Sequence, residues 1–401
     1  MTEKATERAR IVIVGGGLEG LAIAWQLADR GETDVLVLER DTLCGGMTGK
    51  SSGIVRCHYG VPSLAAMAWY GVEVFGRADE IFGTDIGFRQ TGYVVGVGEN
   101  NVEPLRANIE MHRTLGVPVD LVDADAVRAL WLGIHLDDFA GFAYEPLGGH
   151  GDAYLTGMAY GPEPARALGV RIRQSTNVVR LISDDFGAVR GVLCADGTEI
   201  LCDTVVLATG VWSPALAATA GVHLPIRAQR EQLVLVDQGA PTPDVPTFSD
   251  LVNLQYIRRE PNGHLLVGNS DHSNPEIADP DAYPNRATED FVETAIGRLD
   301  RILPDMPDPR LASSYAGCYD ITPDYNPIIG PSPAAGLFLA VGFSGHGFKI
   351  SPAVGRLAAD LLLDGISSDP AVDGNDFRYS RFGEGKPLVS LHPYAGAGEM
   401  R

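Results

Sequence analysis

Short apolar runs that stop at glycine set the rhythm of this chain. Ile11–Val14 is a run of four apolar residues, Gly15–Gly17 interrupts it, and an apolar helical pattern follows through Leu21, Ala22, Ile23, Ala24 and Leu27. A second run, Val35–Leu38, ends at the acid Glu39. This spacing predicts strand, glycine turn, helix and strand within one short unit. Runs over 170–173, 176–182, 191–200 and 204–210 read as further short strands separated by turns. Gly336–Gly342 reads as another strand. A glycine-rich turn follows it, then a helix from about Lys349 to Leu363 with apolar positions Val354, Leu357, Ala358, Leu361 and Leu362.

Between these blocks the pattern changes. Residues 90–149 mix strand and helix signals. Residues 223–319 contain alternating runs such as Gln232–Val236 and His264–Gly268, which suit an antiparallel sheet. Asn274–Asn285, rich in Pro, Asp and Ala, reads as a loop. The expected fold is therefore α/β plus α+β: a Rossmann-type nucleotide domain interrupted twice by a mixed or antiparallel-sheet domain. The expected boundaries are 10–90, 150–222 and 320–366 for the nucleotide domain, and 91–149 and 223–319 for the second domain. The remaining tail, 367–401, is rich in glycine and polar residues and is expected to pack only loosely.

Composition narrows the partners. A chain of 401 residues can bury a large core. Its net charge of −21 argues against nucleic acid or an anionic membrane as partner. No apolar run reaches the ~18 residues of a membrane span. The polar start gives no sign of a signal peptide, and five cysteines without a C-x-x-C pair show neither a disulfide framework nor metal-ligand spacing. The expectation is a reduced, cytoplasmic setting. Lysine is scarce, with only Lys4, Lys50, Lys349 and Lys386, so a lysine in a glycine-rich loop stands out.

The first unit carries the clearest chemistry. In Gly15-Gly-Gly17-Leu18-Glu19-Gly20, Gly15 suits the tight turn, Gly17 lets backbone approach a pyrophosphate, and Gly20 suits close helix–strand packing. The helix N-terminus offers free N–H groups and a positive dipole end to phosphates. Glu39, 19 residues after Gly20 and followed by Arg40, is placed to accept from ribose hydroxyls, which favours FAD or NAD over NADP.

Four motifs together resemble the flavin amine-oxidase family of monomeric sarcosine oxidase, glycine oxidase and D-amino acid oxidase, with the sarcosine branch most similar. They are the unit ending at Glu39, the loop Gly46–Arg56, the strand and turn Leu207–Ser213, and Thr322–Gly330 followed by Gly342–Lys349. The resemblance implies FAD, with cofactor contacts from Thr48, Ser51, Ser52, Val179 (or Val178), Gly210, Trp212, Gly345, His346, Gly347, Phe348 and Lys349. Thr48, Ser51 and Ser52 could equally cap a turn, and Lys349 could be a solvated helix lysine. It also implies oxidation of the C–N bond of a secondary amine or amino acid: a hydride passes to flavin N5, the imine hydrolyses, and oxygen or another acceptor takes the electrons.

Departures from the family pattern qualify this. Gly317 stands where sarcosine oxidases attach the flavin, with Cys318 one residue late and on the opposite face of an alternating backbone, so FAD is expected to be non-covalent. Tyr319 stands where glycine and D-amino acid oxidases carry a carboxylate-binding arginine, Tyr59 replaces a second arginine, and Leu266 replaces an oxygen-activating lysine. Candidates around the flavin face are Arg56, His58, Tyr59, Tyr256, Arg258, Tyr319 and Lys349. Tyr256 and Arg258 share one side of a strand, which is either the site or an exposed face, and His58 is either a site residue or a satisfied buried histidine. Two alternatives remain open. One is the flavin subunit of a multi-subunit dehydrogenase that passes electrons to a partner. The other is an NAD(P)H-dependent hydroxylase, which would need a second fingerprint.

Overall fold

Six strands drawn from well-separated stretches lie side by side in one sheet of a computed structural model that describes residues 7–240 and 243–396. Their order is Ile328–Pro331, Leu337–Val341, Thr204–Leu207, Ile11–Val14, Val35–Leu38 and Arg171–Arg173. All neighbours pair in parallel except the first two. Ile11–Val14 and Val35–Leu38 are buried throughout. Continuous apolar runs rather than alternation are what a strand covered on both faces requires.

Two helices cover one side of this sheet. Leu18–Asp29 buries Leu18, Leu21, Ala22, Ile23, Ala24 and Leu27, and Gly31 at φ 88° turns the chain after its end. Gly347–Leu363 crosses it closely, because a Cβ on Gly355 would lie 2.7 Å from the Ala22 carbonyl oxygen. Small residues at the crossing let the two backbones approach, and their buried side chains join one apolar core.

The second large sheet has eight strands. Their order is Arg310–Ile321, Arg227–Asp237, Leu265–Asn269, Gln255–Arg259, Thr247–Asp250, Tyr93–Val97, Gly141–Glu145 and Asp120–Val122. Only Thr247–Asp250 and Tyr93–Val97 pair in parallel. The amphipathic helix Glu289–Ile302, capped by Thr288 Oγ1 accepting from Phe291 N, lays Ala295, Leu299 and Ile302 on this sheet. A four-stranded sheet, which includes Val178–Ser183, flanks the first sheet.

The segment after residue 366 departs from the loose packing expected of it. Phe377 and Arg381 are fully buried, Tyr394 is 5% exposed, and Leu391 N donates to Gly60 O. Polar and glycine-rich composition hid this because the anchors are few and each is individually strong. No helix among the described residues is long and apolar enough to cross a membrane.

Candidate active site

One elongated cavity of about 570 Å³ runs from the edge of the parallel sheet to the long strands of the eight-stranded sheet. Its first end is the glycine turn. Gly15 sits at φ 112°, and a Cβ there would lie 2.3 Å from Ala208 O; a Cβ on Gly20 would lie 2.0 Å from Gly15 O. Gly17 precedes the Leu18–Asp29 helix and has no side chain with which to cap it. Thr48 Oγ1 accepts from Leu18 N at 3.1 Å, which brings the Met47–Lys50 turn over this end. Glu39 accepts from Gly16 N at 2.8 Å through one oxygen and from Asp41 N at 2.9 Å through the other. Arg40 stacks on Trp212, 4.0 Å from the ring centroid, and Val178, Val179 and Gly210 complete this wall.

The far end combines two lysines, Lys50 and Lys349, and a tyrosine, Tyr319. Lys349 lies in the first turn of the Gly347–Leu363 helix, whose preceding residue His346 makes no side-chain cap. A helix end of this kind presents N–H groups and a positive dipole to the cavity, and the ammonium adds a full charge. Lys349 Nζ donates to Gly345 O at 3.4 Å. Tyr319 packs over Gly345, where φ is +82° and a Cβ would come 2.7 Å from the ring. Burial, reinforced by Tyr256 and Glu231, holds the Tyr319 phenol well above its ordinary value, so it stays neutral. Lys50 Nζ donates to Asn285 Oδ1 at 2.7 Å and Ala316 O at 3.1 Å.

Two acids, the half-buried Glu19 and the buried Asp320, line the cavity. Burial first, then Asp320, pushes Glu19 well above the carboxylate range, and Glu19 Oε2 has no hydrogen-bond partner. Burial raises Asp320 to about 6, partly offset by backbone N–H groups, among them Gly342 N at 2.7 Å. A carboxyl whose protonated form is favoured in this way is compatible with an anionic ligand nearby.

Of the residues singled out in the sequence, Gly15, Gly17, Leu18, Glu19, Glu39, Arg40, Thr48, Ser51, Ser52, Val179, Gly210, Trp212, Tyr319, Gly345, Gly347, Phe348 and Lys349 line this cavity. Gly20, Arg56, His58, Tyr59, Tyr256, Arg258 and His346 do not. Arg56 turns back to His58 O and stacks 4.1 Å from the Tyr59 ring. Tyr59 Oη lies 3.2 Å from His346 Nδ1, behind the wall. Burial, then the Lys349 charge, holds that imidazole well below its ordinary value, hence neutral. Tyr256 is buried and backs the wall, its phenol raised to about 12 by burial and Glu231. Arg258 is buried, donates to Ser52 O and to Glu260 Oε1 at 2.8 Å, and so belongs to a partly buried ion pair, not to an exposed strand face. His58 lies beside His112 and Glu145.

Glu231, Tyr283 and Asp320 are among the lining residues that have no part in the site expected from the sequence. Glu231 reaches it from Arg227–Asp237, Tyr283 from the 274–285 loop, and Asp320 from Arg310–Ile321. Glu231 stands among polar neighbours, Gln229, Arg230 and Gln232, so nothing local marks it. Cys318 pairs in register with Arg230, whereas Glu231 pairs with Gly317. Alternation therefore turns the Cys318 side chain toward the Arg230 face, away from Tyr319.

The donor set fits FAD on geometric grounds. The glycine cradle and helix end suit a pyrophosphate, the Glu39 carboxylate a ribose, and the Lys349 helix end an electron-rich ring. The family model described as FAD dependent oxidoreductase matches residues 10–361. A curated relative, 4-methylaminobutanoate oxidase (formaldehyde-forming) of Paenarthrobacter nicotinovorans, is 29% identical over 390 residues, which cover 93% of this chain. The chain spans only 45% of that relative's length. Sarcosine oxidase subunit beta of Rhodobacter capsulatus is 26% identical, over 95% of this chain and 90% of that protein. The crystal structure of L-proline dehydrogenase from P. horikoshii superposes with a TM-score of 0.86 at 26% identity, covering 96% of this chain and 100% of that one.

Proposed function

Because the chain belongs to the FAD dependent oxidoreductase family, we propose that it oxidises the C–N bond of a secondary amine or amino acid, with FAD held non-covalently in the cavity. FAD, when bound, supplies the hydride acceptor. The residues of this chain supply position and field. Gly15–Gly17, Thr48 and Glu39 would hold the nucleotide half. Lys349 and the N-terminus of its helix would stabilise negative charge developing at the ring end. Tyr319, kept neutral by burial, would orient the substrate as a hydrogen-bond donor or acceptor. Lys50 and Lys349 line the cavity whereas Arg56 and Arg258 do not, so the two lysines are the cations placed near a substrate carboxylate.

The observation that carries this reading is the placement of Lys349 and Tyr319 at one end of the cavity whose other end is the glycine turn with Glu39. The relatives named for 4-methylaminobutanoate, sarcosine and L-proline support an N-substituted amino acid as substrate class. A cytoplasmic setting belongs to the same proposal, supported by five cysteines that are all free and buried.

The test is an anaerobic titration of purified holoprotein with sarcosine, other N-methyl amino acids, proline, glycine and D-amino acids. Bleaching of the flavin band by one class supports the proposal, and admitting air then separates oxidase from dehydrogenase. A colourless protein that cannot be reconstituted with FAD would sink it. A second reading, a flavin subunit that hands electrons to another chain, draws on the likeness to a protein named as a subunit beta. Co-purification of a stoichiometric second polypeptide from the native host would favour it.

A further inference from the structure

We infer that His58, His112 and Glu145 form a structural site for one divalent transition metal ion, with Zn²⁺ best matched to the donors. The site lies outside the cavity. One ligand atom from each residue converges within 4.8 Å of the others, and the three side chains are 2%, 0% and 2% exposed. They come from three separate elements: the segment after Ile54–Val55, the helix Val102–Thr114 and the strand Gly141–Glu145.

The outer hydrogen bonds aim the inner atoms. His112 Nε2 lies 2.8 Å from Tyr59 O. A carbonyl only accepts, so Nε2 carries the proton and Nδ1 presents its lone pair. Glu145 Oε2 accepts from Cys57 N at 2.7 Å, which leaves Oε1 turned inward. Neither His112 Nδ1 nor Glu145 Oε1 has a hydrogen-bond partner. His58 Nε2 sits 2.6 Å from Tyr394 Oη, and its Nδ1 lies 3.7 Å from Glu145 Oε1. Each ligand thus holds an outer partner on its far atom, the arrangement that orients metal ligands. Both atoms are buried without a partner, and a cation between them would satisfy both lone pairs.

Distances suit a small ion. Donors about 2.0–2.1 Å from tetrahedral Zn²⁺ stand ~3.4 Å apart. The 3.7 Å pair is close to this, and the group reaches it through side-chain adjustments of about an ångström or less. Two imidazoles and one carboxylate match Zn²⁺ better than Mg²⁺ or Ca²⁺, which take oxygen donors. The nearby Arg56 charge, which acts on Glu145, opposes a dication, so the ion should exchange with a strong chelator. Burial of all three ligands argues for a structural role. The ion would tie the C-terminal segment, through Tyr394 on His58, to Tyr59 and the wall behind the cavity.

The test uses full-length holoprotein stripped with a chelator, then titrated with Zn²⁺ alone and desalted. Elemental analysis is expected to find one Zn²⁺ per chain, with a rise in Tm. His112→Gln and Glu145→Gln should each weaken retention at least tenfold. Wild-type protein that retains well under one equivalent, with no rise in Tm, would overturn the inference. So would retention unchanged in both variants. If either variant fails to fold, anomalous diffraction at the zinc edge on the wild type decides: an ion between the three residues upholds the site, and an ion elsewhere or none removes it.

Discussion

Arg381 grips Asp324 with two parallel hydrogen bonds, Nε to Oδ2 at 2.8 Å and Nη2 to Oδ1 at 2.9 Å, with both side chains out of solvent. The same carboxylate accepts from Leu388 N at 2.9 Å, and Arg381 also donates to Asn326 O at 2.8 Å. Asp324 stands in the Thr322–Gly330 motif. Thr322 N donates to Ser344 Oγ, so the C-terminal segment braces the turn that leads to Lys349. Removing one partner of a buried, fork-shaped pair leaves an uncompensated charge and costs about 3–5 kcal/mol. Arg381→Met is therefore expected to lower unfolding free energy by roughly 3 kcal/mol, measured by urea denaturation. Arg381→Lys should recover little, because an ammonium cannot form the fork. A loss below about 1 kcal/mol for Arg381→Met would mean that this segment is no clamp.

Glu39 accepts from Gly16 N of the glycine turn through one oxygen and from Asp41 N, two residues on, through the other, and each oxygen keeps a second lone pair for a ribose hydroxyl. Glu39→Ala is expected to weaken FAD binding about 10- to 100-fold, or roughly 1.4–2.8 kcal/mol, read by quenching of flavin fluorescence on titrating apoprotein. Gly20→Ala should act differently. Its Cβ has no room beside Gly15 O, so stability and FAD retention should fall together, stability by about 1–3 kcal/mol. Wild-type affinity in Glu39→Ala would detach this residue from the nucleotide.

Asp320 gives a pH dependence of defined sign. Its carboxyl titrates near 6 in the folded chain, against an ordinary value of 3.8. Between those values the folded chain holds a proton that the unfolded chain has released. Stability from this group is therefore complete below about pH 4 and is lost as pH rises to about 6. The loss is about 1–3 kcal/mol, at roughly 1.36 kcal/mol for each pH unit that separates the folded from the unfolded titration. Asp320→Asn cannot titrate. Whatever fixed cost the amide brings, the variant should gain on the wild type by that amount between about pH 4 and 6.5. Parallel denaturation curves showing a pH-independent gap would remove Asp320 from the account.

How much was legible from residues alone follows from chain distance. Gly15, Gly17, Gly20 and Glu39 declare themselves because strand, turn, helix and acid fall within one short unit. Lys349 stands out because lysine is rare here and it opens a helix after a glycine turn. Glu231 meets Gly317 only through strand register, and Arg381 meets Asp324 across 57 residues, so neither has a local signal for its partner. Arg56 and Tyr59 do not line the cavity, for a physical reason. They sit beside the flavin loop in sequence, but the chain turns them inward, where Arg56 stacks on Tyr59 and Tyr59 reaches His346. His58 groups with His112 and Glu145, which are distant in sequence, so no local pattern announces the cluster.

On the proposed function, Lys349 would separate holding the cofactor from using it. Its ammonium lies at the end of the cavity away from the glycine turn, 5.9 Å from the Tyr59 ring centroid and in the first turn of a helix that adds its own positive end. A charge placed there acts mainly when negative charge builds up at the ring end, so its removal should slow reduction more than it loosens binding. Lys349→Met is expected to keep FAD at near wild-type occupancy while amine-driven bleaching slows tenfold or more, equivalent to at least ~1.4 kcal/mol. Glu39→Ala should show the opposite pattern: weak FAD retention, with near-normal bleaching in whatever fraction stays loaded. Stopped-flow reduction under anaerobic conditions, with FAD content measured on the same samples, tests both. Equal losses of occupancy and rate in Lys349→Met would reassign this lysine from electrostatic stabiliser to structural support of the cavity.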